Sequence, residues 1–239
     1  MIKSKQLTLD IQLEDHNTFS NFWTGNNQEL ISCLHTFSSN TSTINPFIYI
    51  WGPNYSGRSH LLHACCYEAN NHQHTCFYLP LRKIGHLNLK ILENLETISL
   101  VCLDDIQNIS NKPEWEEAIF KLFNDLIENK NRLIVVADVA PQLLPITLPD
   151  LKSRLASGLP LPITPLNDEQ KLAALQMRAS QRGLQLSESV GKYLLYRYAR
   201  DTKNLFSVLD KLDKESLISQ HKLTIPFIKS VLNPLHQRT

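Results

Sequence analysis

The chain has 239 residues, 42% of them hydrophobic and 20% charged, a globular balance in a length that suits one or two domains. Its 24 Lys and Arg against 23 Asp and Glu leave a net charge of +1, which supplies no overall attraction for DNA or an anionic membrane. No apolar run approaches the ~20 residues that cross a bilayer, and no apolar segment follows Met1-Ile2-Lys3-Ser4-Lys5 to make a secretory signal.

From the N-terminus, Gln6-Leu7-Thr8-Leu9-Asp10-Ile11-Gln12-Leu13 alternates polar and apolar residues, the period of an extended segment. Leu30, Ile31, Leu34 and Phe37 then repeat at helical spacing across 26–37, and a polar loop covers 38–45. Phe47-Ile48-Tyr49-Ile50-Trp51 is almost wholly apolar, as a strand covered on both faces must be. Runs of the same character follow at 75–79, 98–103 and 133–137. Between the last two lies a helix over 114–128, with Trp115, Ile119, Leu122, Phe123 and Leu126 on one face and Pro113 at its first turn. A fifth strand falls at 159–163, where Pro160 and Pro162 weaken the pattern. Strands alternating with helices predict a parallel α/β sheet.

Beyond Pro165 the pattern becomes helical throughout. Asn167-Asp168-Glu169 starts a helix that Gly183 stops. Ser187 caps a second helix to Tyr198, Asp201 caps a third carrying Leu205, Phe206, Leu209 and Leu212, and a fourth spans 225–232. The expected organisation is an extended tail over 1–14, an α/β domain over 15–165 and a small helical bundle over 166–239.

The five cysteines are odd in number and lack CxxC spacing, so free thiols in a reducing cytosol are expected. His60 with His63, and His72 with His74, are candidate metal pairs. No carboxylate or thiol cluster of the right type completes either pair in the sequence.

The strongest motif follows the first buried strand. Gly52-Pro53-Asn54-Tyr55-Ser56-Gly57-Arg58-Ser59 fits the phosphate-binding pattern G-x-x-x-x-G-K-[ST] except that Arg58 replaces the lysine. The glycines let the backbone N–H groups curl toward a phosphate at the N-terminus of the next helix, which continues with His60. Ser59 is placed to ligate Mg²⁺ through its hydroxyl. Arg58 keeps the charge but not the thin point-charge geometry of lysine, so nucleotide binding is the firmer expectation and hydrolysis the weaker one. The third strand ends in Asp104-Asp105, 45 positions after Ser59. Asp104 would hold Mg²⁺ and Asp105 would help position water. Asp138, after the fourth strand, reads either as a γ-phosphate contact or as a strand-ending turn residue. Arg154, in Asp150-Leu151-Lys152-Ser153-Arg154-Leu155, reads either as a functional cation or as a solvated surface residue.

In that order these motifs resemble the AAA+ ATPases and, within them, the DnaA branch. The resemblance covers about residues 15–232. Phe19-Ser20-Asn21-Phe22-Trp23, the 57–64 and 148–155 stretches and Lys222-Leu223-Thr224-Ile225-Pro226-Phe227 narrow it to the Hda-type regulatory inactivators. The resemblance implies a five-stranded parallel sheet with helices on both faces and a helical lid. It implies bound ADP or ATP with Mg²⁺, Arg154 as an arginine finger acting in trans, and Lys203 at the sensor-2 position, where Arg is usual. It implies DnaA as a partner, a homodimer, and no DNA-binding domain, the chain ending at Thr239 soon after the lid. Gln6, Leu7, Leu9 and Ile11 resemble the peptide that docks on the bacterial sliding clamp, with Asp10 where proline is common. The function implied is restraint of replication initiation by stimulating ATP hydrolysis on DnaA. The competing expectation is an AAA+ ATPase or loader that drives its own cycle.

Overall fold

The computed structural model describes residues 17–40, 45–198, 202–219 and 221–232. Five strands, β1 (Phe47–Trp51), β2 (Cys76–Pro80), β3 (Leu100–Asp104), β4 (Arg132–Ala137) and β5 (Leu159–Pro162), form one sheet in the order β2-β3-β4-β1-β5. Every pairing is parallel. A parallel sheet needs cover on both faces, and the alternation along β1 shows it. Phe47 and Tyr49 join one buried cluster while Ile48 and Ile50 join the other.

The second cluster is closed by α1 (Gln28–Ser39) and α2 (Arg58–Asn71). The first is closed by α3 (Pro113–Glu128) and α4 (Pro149–Ala156). The Phe123 ring of α3 meets Phe47 edge-on at 5.0 Å. β5 forms despite its prolines because it is an edge strand, where a missing N–H leaves no neighbour unpaired. Between β2 and β3 lie three 3₁₀ turns, Leu81–His86, Leu89–Leu92 and Leu95–Thr97. They bury Leu81, Ile84, Leu92 and Leu95 in the α3-side cluster. β3 consequently starts at Leu100, two residues later than the apolar run in the sequence.

After β5 come α5 (Asp168–Gln181), α6 (Glu188–Tyr198), α7 (Thr202–Ser219) and α8 (Ile225–Leu232), around a separate core that includes Leu175, Leu194, Leu205 and Leu209. α5 starts in a reciprocal cap. The Gln170 N–H donates to Asn167 Oδ1 at 2.8 Å and the Asn167 N–H donates to Gln170 Oε1 at 3.0 Å. Gly183 takes φ +74° after α5, and Ser187 Oγ accepts from the Val190 N–H at 3.4 Å before α6. The caps expected at Asp201 and the tail over 1–14 lie outside the described residues. Asn27 ties the segment ahead of α5 to the α/β part. Its Nδ2 donates to Thr164 O at 2.9 Å and its Oδ1 accepts from the Thr164 N–H at 2.7 Å. No helix among the described residues is long and apolar enough to cross a membrane.

Candidate nucleotide site

The loop 52–57 leaves the carboxyl end of β1 and feeds α2. Gly52 is anchored to the sheet, its N–H donating to Ala137 O at 3.3 Å, and a Cβ there would stand 3.0 Å from Ile163 Cβ. Gly57 takes φ +96°, and a Cβ there would meet the Phe22 ring at 2.6 Å. The two glycines therefore serve backbone geometry, and Phe22 roofs the turn. Tyr55, at φ +65°, completes the curl. The N-terminus of α2 opens behind this loop, where free N–H groups and the helix dipole favour an anion.

Arg58 is buried, and both of its terminal nitrogens are engaged. Its Nη1 donates to Gly52 O at 2.8 Å, and its Nη2 donates to Asn54 Oδ1 at 2.9 Å and to Asp105 Oδ1 at 3.0 Å. A planar fork can bridge three acceptors in this way; a lysine ammonium on a thin stem cannot hold the same set. Asp105 also accepts from Gln107 Nε2 at 3.2 Å.

Asp104 ends β3 fully buried. Its Oδ2 accepts from Ser59 Oγ at 2.6 Å and from the Tyr78 hydroxyl at 2.7 Å. Its Oδ1 is buried with no hydrogen-bond partner among the described residues. Burial pushes the carboxyl above its ordinary range, and Asp105 adds to this; the bonds from Ser59 and Tyr78 and the charge of Arg58 partly offset it. Burial, with Asp104 beside it, likewise pushes the Tyr78 phenol up. A hydroxyl beside a carboxylate with a spare oxygen is a hard-oxygen donor set of the kind Mg²⁺ takes.

These groups open into a cleft of about 680 Å³. The loop and helix from Pro53 to His60 line one side with Asp105; Lys171 and Arg178 of α5 and Phe206 and Asp210 of α7 line the other.

The family model for the bacterial DnaA ATPase domain matches residues 13–162, and that for the Hda lid domain matches residues 168–232. The chain belongs to the DnaA ATPase-domain family. It is an Hda-like member, with a DnaA-type AAA+ domain followed by a helical lid. An uncharacterised protein of Haemophilus influenzae is 46% identical over 231 residues, 96% of this chain and 99% of that one. Domain III of Thermotoga maritima DnaA superposes with a TM-score of 0.75 at 18% identity, over 93% of this chain and 98% of that one. Aquifex aeolicus DnaA with bound AMPPCP gives 0.71 at 23% identity, over 86% and 67%. The DnaA-like AAA+ fold implies that this chain binds nucleotide.

The remaining sequence candidates sort by position in this DnaA-family fold. His60 lines the cleft and holds the N-terminal segment, its Nε2 lying 2.9 Å from Thr18 O and its ring 5.2 Å from that of Phe22. Asp138 follows β4 level with Gly52, since Ala137 pairs with Trp51. It is half-buried and is not among the residues that line the cleft. Lys203 lies in the first turn of α7, the helix that also brings Phe206 and Asp210 to the cleft. Gln6, Leu7, Leu9 and Ile11 lie outside the described residues. Arg154 is exposed, its guanidinium 5.9 Å from the centre of the Phe123 ring. Phe123 packs on Phe47, the first residue of β1, so Arg154 stands at the end of the sheet away from its own phosphate loop.

Sequence reading missed Arg82, which lines the cleft two residues after β2. The rule that open α/β sheets bind ligands beyond the carboxyl ends of their strands points to it. It also missed Arg178, whose guanidinium stacks 4.6 Å from the Phe206 ring, with Nη2 3.9 Å from Asp210. Arg178 is one of two cations on α5, and its position depends on how α5 and α7 pack.

Proposed function

We propose that this chain is a nucleotide-bound regulator that stimulates ATP hydrolysis by DnaA and so restrains replication initiation. The observation that carries the proposal is the placement of Arg154. It is exposed at the far end of the sheet from the chain's own loop, a position that suits it to a neighbour's nucleotide rather than to its own. An arginine supplied in trans neutralises charge on a transferring phosphoryl group and raises the rate by about 10³–10⁵. A guanidinium suits this role because its planar fork meets two phosphoryl oxygens at once.

The chain's own site favours holding nucleotide over turning it over. The loop N–H groups bind the phosphates of ADP or ATP. Ser59 and Asp104 would hold Mg²⁺, which supplies positive charge against the phosphates when bound. Asp105, the carboxylate that would position an attacking water, is instead occupied by Arg58 at 3.0 Å. That pairing counts against the alternative of a self-driven ATPase or loader. Lys203 would approach the phosphates from the lid, and Asp138 would act behind Gly52 through the strand end.

The partner is DnaA carrying ATP, and a tether of Gln6, Leu7, Leu9 and Ile11 would dock the chain on the DNA-loaded sliding clamp as an added strand with apolar anchors. The same exposed Arg154 face would let two copies pair as a homodimer. All of this belongs to the cytoplasm, and no step needs the chain to bind DNA itself. The test is hydrolysis of DnaA-bound ATP with and without the protein and loaded clamp. Stimulation that requires both supports the reading. Fast hydrolysis by the isolated chain with no effect on DnaA would overturn it in favour of the self-driven ATPase.

A further inference from the structure

Three cysteines that the nucleotide site does not use converge behind it. Cys66 sits on α2, Cys76 opens β2 and Cys102 lies in β3. Cys76 pairs with Leu100, so Cys102 is two residues further along the neighbouring strand. Alternate strand residues share a face, and here that face is the one under α2. The Cys66 and Cys76 sulfurs are 2.7 Å apart, and all three Sγ atoms lie within 4.8 Å of one another. All are free thiols.

We propose that Cys66, Cys76 and Cys102 form a three-thiolate site for a thiophilic divalent cation of the zinc class. Zn–S bonds of about 2.3 Å in a tetrahedral array place sulfurs about 3.8 Å apart, within the spread of the cluster. Cys66 and Cys102 are buried and Cys76 is half-buried. Cys76 therefore marks the way in for the ion and for a water to complete four-coordination. On binding, the three S–H bonds are replaced by S–metal bonds and the thiol protons leave to solvent.

The charge balance is supplied by Arg132. A divalent ion with three thiolates carries −1, which is costly to bury alone. Arg132 is 1% exposed and pairs with no carboxylate among the described residues. Its Nη1 donates to the carbonyls of Phe37, Ser38 and Asn40, and its Nε to that of Ser99. Its Nη2 is buried with no hydrogen-bond partner among the described residues, and its charge is felt at Cys76 and Cys102. The cation thus faces a cluster that becomes anionic once metal is held. The ion would brace α2 against β3, the two elements that carry Ser59 and Asp104.

The experiment titrates Co²⁺ or Cd²⁺ into the reduced, metal-stripped full chain. Sulfur-to-metal charge-transfer absorption saturating at one ion per chain is expected. It should be retained in Cys33→Ser and lost or weakened by at least about tenfold in Cys76→Ser and Cys66→Ser, since losing even an outer partner costs 10–100-fold. Circular dichroism checks that each variant is folded. If Cys66→Ser fails that check, Cys76→Ser, at the half-buried edge, carries the comparison. Absence of the band in the parent, or a band unchanged in folded Cys76→Ser, overturns the site.

Discussion

Putting arginine where a phosphate loop usually has lysine changes what the side chain reaches. Arg58 turns inward to Gly52 O, Asn54 and Asp105, so it staples the loop as well as charging it. Gly57 shows how little slack the loop has. Gly57→Ala combines a left-handed backbone with a Cβ 2.6 Å from the Phe22 ring, and should cost about 1–3 kcal/mol. Thermal melts would register the loss, and calorimetry should show weaker nucleotide binding. Asp104 carries a different cost. Its carboxyl is raised by burial, so the fold favours the protonated form. That contribution is fully present below the ordinary carboxylate range and is lost as pH rises through the raised value. Asp104→Asn should therefore melt higher than the parent at neutral pH, with the gain shrinking as pH falls through the raised range. The same variant should lose the Mg²⁺ dependence of nucleotide binding. A Tm gain that persists undiminished in acid would contradict this account.

Among the elements, α4 is held by a buried carboxylate. Glu116 Oε1 accepts from the Asn111 N–H, and Oε2 accepts from the Thr147 and Leu148 N–H groups and the Thr147 hydroxyl. One side chain of α3 thus fixes the entry to the helix that carries Arg154. Glu116→Ala should destabilise the chain by about 1.5–3 kcal/mol, the range for bonds to a charged group, and denaturant titration would measure it. The strands, α3 and the cap at Asn167 were legible because apolar runs, helical spacing and capping chemistry are local signals. The 3₁₀ turns between β2 and β3 were not, because three short turns leave no period to detect. The β5 strand was legible but weakened by its prolines, since the edge position that tolerates them is a property of the sheet and not of the segment.

For the molecule as a whole, the phosphate loop and Asp104-Asp105 were readable because each is contiguous in sequence. The rest of the cleft lining was not, since Arg82 and Arg178 reach it from distant parts of the chain. The thiol cluster was hidden for the same reason: its spacing in sequence has no metal pattern, and only the β2–β3 register brings Cys76 and Cys102 together. The proposed tether makes a separate prediction at this scale. Leu7→Ala with Leu9→Ala removes two apolar anchors, each contributing roughly 1.5–3 kcal/mol if fully buried. Co-elution with the clamp should fall strongly while nucleotide binding by the isolated chain is unchanged.

In the proposed function Arg154 acts on a partner's nucleotide. Arg154 is exposed, so Arg154→Ala should leave stability within about 0.5 kcal/mol and leave nucleotide and clamp binding intact. The decisive measurement is the rate of hydrolysis of DnaA-bound ATP with loaded clamp and either the parent chain or purified Arg154→Ala. Stimulation is expected with the parent, none with Arg154→Ala and little rescue with Arg154→Lys, with DnaA binding retained. Full stimulation by folded Arg154→Ala at saturating clamp would contradict that role.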